Sequence, residues 1–158
     1  MTTPNPFTRG ALPGTLSAPR SLAAWGLLGY VALFLLFEFL QLTLPGGRSL
    51  SGRAAAADFR SILILALPVL AVLLTGYLSP ALPGTRLVAT VAVVEYGAAL
   101  TFGLLTLLIG LPAVLGGVDS VQGGLGALRY LTMGAAELVL TVIAGYVALR
   151  ALTRTRHV

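Results

Sequence analysis

Residues 21–43 read SLAAWGLLGYVALFLLFEFLQLT, an apolar run with Glu38 as its only charge. At ~1.5 Å per residue a helix of this length exceeds the ~30 Å hydrocarbon core of a bilayer. The run is longer than the ~7–15-residue apolar region of a signal peptide, and no small-x-small cleavage site closes it. It is therefore read as an uncleaved first span, and the rest of the chain repeats the pattern. Spans are expected over 21–43, 61–79, 87–109 and 128–150. In lipid only helices and closed barrels satisfy the backbone, and these continuous runs lack the alternation of a barrel. The sequence predicts an all-α polytopic membrane protein, with four transmembrane helices in a compact bundle over 21–152.

Composition agrees. Of 158 residues, 57% are apolar and 9% charged, with a mean hydropathy of +0.95, against roughly 25% charged residues in soluble domains. A water-soluble globule is excluded. The absence of cysteine excludes disulfides, thiolate metal ligands and cysteine nucleophiles. His157, the only histidine, is penultimate in a basic tail, which argues against a His-based metal site or a Ser-His triad. A non-enzymatic protein without metal or cofactor is expected. All ten basic residues are Arg, and the net charge is +5. Because they mostly flank apolar runs, they are read as topology signals and contacts to anionic lipid headgroups, not as a nucleic-acid surface.

The connections punctuate the spans. Residues 1–20, rich in Thr, Pro, Gly and Ser, are expected to form a disordered tail. LPGGRSLSGRAAAADFR (44–60) opens on a Pro-Gly-Gly turn and ends in good helix formers, which predicts a short interfacial helix leading into span two. PALPGTR (80–86) is a tight turn, and LPAVLGGVDSVQGGLGA (111–127), with five glycines, is expected to be the most mobile loop. Pro68 should kink span two. Residues 153–158 form a basic tail. With the N-terminus inside, six Arg (9, 20, 86, 150, 154, 156) lie on the cytoplasmic side and four (48, 53, 60, 129) outside, which places both termini in the cytoplasm of a cell-membrane protein.

Three of the five acidic residues fall inside spans, where an ionised group costs at least ~2.5 kcal/mol near the centre. They should face protein or water. Glu95, Ala99, Gly103, Thr106 and Gly110 recur at helical spacing, as do Glu137, Thr141, Gly145 and Ala148. Each glutamate heads a stripe of small residues suited to close helix contact, with Ala99, Gly103, Thr141 and Gly145 as packing positions within a bundle, a homo-oligomer or a larger membrane complex. Depth counted along the spans pairs Glu38 with Arg60 near the outer surface. Glu95 and Glu137 lie nearer the midplane with no basic residue at their own level, so the neutral acid is the expected form of both. They are the candidates for a proton relay or cation site, or for hydrogen bonds that tie the helices together. An accessory or structural membrane component is the leading functional reading, and a small proton-coupled transporter or channel using Glu95 and Glu137 is the alternative.

A Pro- and Thr-rich tail, an Arg-only basic complement and Ala-, Leu- and Gly-rich spans together resemble the small four-helix membrane proteins of actinobacteria. That resemblance covers the whole chain in organisation, rests on no specific motif, and implies no activity. Small multidrug transporters also have four short helices and a membrane-embedded glutamate in the first, but theirs is central, whereas Glu38 sits toward one end of a longer chain.

Overall fold

The computed structural model describes residues 17–44, 47–76 and 84–154. Every regular element among them is an α-helix: α1 (Ser17–Thr43), α2 (Leu50–Ala56), α3 (Ile62–Gly76), α4 (Thr85–Leu115) and α5 (Val121–Arg154). α1, α4 and α5, of 27, 31 and 34 residues, are each long and apolar enough to cross a membrane. α3 has 15 residues, which at ~1.5 Å each give about 22 Å, less than the hydrocarbon thickness.

The expected second span, 61–79, takes a different form. α2 is capped by Ser49, whose Oγ accepts the Gly52 N–H at 3.2 Å. The chain becomes extended at Ala57, turns through Asp58–Ser61, and re-enters a helix at Ile62. Against α1, the two helices follow one antiparallel register. The Arg53 guanidinium donates to the Leu44 carbonyl, the Asp58 N–H to Glu38, and Arg20 to the Leu74 carbonyl. The same holds against α4: Thr85 bonds to Thr75, Tyr96 to Leu65, Phe102 stacks on Phe59, and Gly110 abuts Ala55. α2, the break and α3 thus form one discontinuous rod whose interruption lies near the middle of α4.

The break has a local cause. Neighbouring residues on a helix point about 100° apart, and the break lets Phe59 and Arg60 diverge further, Phe59 toward Phe102 on α4 and Arg60 toward Glu137 on α5. Here both are inside, at 1% and 9% exposure. Asp58 and Ser61, on either side of them, are residues whose side chains compete with helical hydrogen bonds. Phe59 stacks on Phe102 with centroids 5.4 Å apart, and Phe39 covers the other side of the same ring at 5.3 Å.

Close packing comes from small residues. Ala99, Gly103, Thr106 and Gly110 on α4 and Thr141 and Ala148 on α5 are buried. Gly145 meets Tyr96, Gly103 meets Leu138 and Gly134 meets Leu107, all in one antiparallel register of α4 with α5. On α3, Pro68 removes one backbone donor, and the Tyr96 hydroxyl donates to the nearby Leu65 carbonyl at 2.5 Å. α1 packs on α3, α4 and α2 but does not reach α5, and α2 and α5 both lie on α4 without meeting each other.

Two other expectations change. The glycine-rich stretch 111–127 is mostly helical: α4 runs through Pro112 to Leu115, α5 starts at Val121, and only 116–120 form the turn. Ser120 Oγ accepts the Gly123 N–H at 3.0 Å and starts the helix. Gly123 is needed there because a Cβ would collide with the Gly117 carbonyl. Residues 17–20, expected in the tail, are the first turn of α1. The rest of that tail, the end of the expected second span and the last four residues lie outside the described residues.

Candidate functional site

The interruption between α2 and α3 exposes backbone groups that a continuous helix would pair, and acidic and basic side chains gather around it. Glu38, on α1, accepts the Asp58 N–H at 2.9 Å, which satisfies one freed donor of the break. The expected Glu38–Arg60 ion pair is therefore corrected: the two residues are not paired. Arg60 turns to the opposite side of the rod, toward α5, where its Nε lies 3.8 Å from Glu137 Oε2.

Two glycines make that path. A Cβ on Gly103 would lie 3.0 Å from Arg60 Cγ, and a Cβ on Gly134 would collide with Arg60 Nη1. The side chain is threaded through a slot between α4 and α5 that only glycine leaves open. Its guanidinium carbon sits 5.3 Å from the centre of the Tyr130 ring, within cation–π range. Tyr130 is fixed by donating its hydroxyl to the Thr106 carbonyl at 3.0 Å. The Arg60 side chain is 8% exposed and that of Glu137 41%. At 3.8 Å the pair is an electrostatic contact without a hydrogen bond, and Arg60 Nε and Nη1 find no acceptor within the protein.

A cavity of about 530 Å³ opens beside this pair, between the C-terminal end of α2 and the facing side of α5. Ala55, Ala56 and Ala57 form one wall, Gly126, Met133 and Gly134 the other, and Asp58, Arg60, Arg129, Tyr130 and Glu137 supply its polar groups. It occupies the gap left because α2 and α5 never meet. A second, smaller cavity of about 70 Å³ lies on the other side of α2, lined in part by Glu38, Gln41, Arg48 and Arg53.

Glu95 is elsewhere. It is 5% exposed on the face of α4 that carries Ala92 and Ala99, and both carboxyl oxygens lack a hydrogen-bond partner. In the α4–α5 register Glu137 lies level with Leu104, about 13 Å along the axis from Glu95 at ~1.5 Å per residue. The structure does not bring the two glutamates together. Thr141 donates to the Glu137 carbonyl at 2.7 Å within its own helix.

Gly134 and Asp58 were not among the residues singled out from sequence. Gly134 carried a usable signal, since it lies three residues before Glu137 on the same helical face. Among the described residues, no three His, Cys, Asp or Glu side chains gather as metal ligands would. What the site offers is a buried cation whose Nε and Nη1 make no hydrogen bond, a partly exposed carboxylate beside it, and an open cleft along α2 and α5. No protein-family model, curated protein or solved structure matches this chain, so its functional reading stands on this geometry.

Proposed function

We propose that the chain is a non-enzymatic protein of the cell membrane that crosses the bilayer four times, α2 and α3 together making the second crossing. Its working part is the polar chamber at the break. In this reading it is a membrane-embedded binding component, acting alone or within a larger membrane assembly. The observation that carries the reading is Arg60, buried at the interruption with two donors that the protein leaves unpaired. An arginine at membrane depth costs ~2.5–3.5 kcal/mol on insertion scales, and interrupted helices at that depth occur where the backbone is buried in protein or lines a cavity. A purely structural clamp would close its hydrogen bonds, since desolvation otherwise outweighs the attraction.

The proton-coupled alternative draws support from Glu95, whose buried carboxyl is likewise unpartnered. Its axial separation from Glu137 means that any relay between them runs through intervening water. Loss of proton flux in liposomes on Glu95→Gln is its test.

The chamber itself is tested by accessibility. Met133 and Val142 on α5 are similarly exposed in the protein, at 57% and 52%, but only Met133 lines the cavity. In liposomes, Met133→Cys should react with a small charged thiol reagent much faster than Val142→Cys. Equal, slow reaction of both would remove the water-filled chamber.

A further inference from the structure

The chemistry left open at the break identifies what the chamber holds. The unpaired groups of its deepest residue are donors, Nε and Nη1 of Arg60, buried beside Glu137 and Gly134, so an occupant of the cavity reaches them only as Glu137 moves aside. The acidic residues of the cavity are better served: Glu137 is 41% exposed at its side chain and Asp58 is exposed, so both have access to water. Neither carboxylate closes a hydrogen bond to Arg60 Nε or Nη1. Arg129, exposed, lines the same cavity on α5, about 7–8 Å along the axis from Gly134 at ~1.5 Å per residue. Tyr130, between those two positions on the helix, lies against Arg60. Alanine and glycine on the facing walls leave room between the two cations.

We propose that the chamber binds a phosphate oxyanion between Arg60 and Arg129, and that Glu137 is the internal counter-ion the ligand displaces. A guanidinium presents a planar fork that matches phosphate oxygens in pairs. Glu137 reaches Arg60 only to 3.8 Å and keeps access to solvent, so it yields its place to an oxyanion that makes full hydrogen bonds. The phosphate belongs either to a soluble anion or to a lipid headgroup entering from the side.

This inference rests on the chamber reading, and the two fail separately. The experiment places the full chain in nanodiscs of phosphatidylcholine and titrates inorganic phosphate. A parallel arm measures retention of phosphatidylglycerol against phosphatidylcholine. Saturable phosphate binding identifies a soluble ligand, and selective retention of phosphatidylglycerol alone identifies a headgroup. In whichever arm binds, Arg60→Gln should lower affinity at least about tenfold, as expected for a lost charged hydrogen bond. Arg129→Gln, at the exposed rim, should lower it less, and Glu137→Gln should raise it. If Arg60→Gln does not fold, the other two substitutions still decide. No saturable binding in either arm, or tighter binding in Arg129→Gln, or weaker binding in Glu137→Gln, overturns the proposal. If Met133→Cys is labelled while neither arm binds, the chamber stands and its ligand class falls.

Discussion

A buried guanidinium is held by what its stem can pass as much as by the charge at its tip. Arg60 reaches Glu137 because Gly103 and Gly134 leave its path clear, while Glu38 is taken up by the Asp58 N–H. Two outcomes follow for stability in detergent. Losses from Arg60→Gln and Glu137→Gln should be non-additive, with a coupling of about 0.5–1 kcal/mol because Glu137 is partly exposed. Losses from Arg60→Gln and Glu38→Gln should add. Glu38→Gln itself keeps an acceptor oxygen for Asp58 and should be mild, whereas Glu38→Leu strands that N–H and should cost about 1–3 kcal/mol. Thermal unfolding of the single and double variants checks all of these. A coupling between Glu38 and Arg60 equal to that between Arg60 and Glu137 would contradict the arrangement.

At the level of elements, the short helix α2 is held against α4 by an absent side chain. Besides meeting the Tyr130 hydroxyl, the tip of a side chain on α5, a Cβ on Gly110 would lie 2.8 Å from the Ala55 backbone nitrogen and 2.9 Å from its Cα. Those are main-chain atoms, which cannot swing aside as a side chain would. Gly110→Ala should therefore push α2 outward and cost about 1–3 kcal/mol, the range of an overpacked core. On the same helix Gly97 has open space around its Cβ position, so Gly97→Ala should leave stability unchanged or raise it through helix propensity. Equal melting temperatures for the two variants would show that α2 is not seated there. The small-residue stripes on α4 and α5 were legible in sequence because burial selects them at helical spacing. A short helix in 44–60 was legible from its alanines, but its docking into the interior was not, because Arg48, Arg53, Asp58 and Arg60 place that segment at the interface. Nothing in that segment registers two glycines on other helices that admit an arginine, or a carboxylate that receives a broken backbone. The glycines of 123–126 misled in the opposite sense: Ser120 starts α5 across them, in a helix of 34 residues.

For the whole molecule, the arrangement of the rods and the distribution of arginines constrain one orientation. α1, the rod of α2 and α3, α4 and α5 alternate in direction, so Leu44, residues 47–49 and the 116–120 turn share one end of the bundle and residues 17–20 and 153–154 the other. The chamber lies nearer the first of these ends, since its lining runs along α5 from Glu137 to Gly126, close to where that helix begins. In the proposed orientation the arginine excess, six to four, lies with the terminal end on the cytoplasmic side. All four arginines of the opposite side line the two cavities, Arg48 and Arg53 the smaller and Arg60 and Arg129 the larger. The chain has no cysteine, so single replacements report cleanly. Gly47→Cys and Asp119→Cys should be labelled from outside intact cells by an impermeant thiol reagent, and Thr153→Cys only after permeabilisation. All three positions are exposed, which removes burial as a reason for protection. Labelling of Thr153→Cys alone would invert the protein in the membrane and turn the chamber toward the cytoplasm, with the ion pair and the break unchanged.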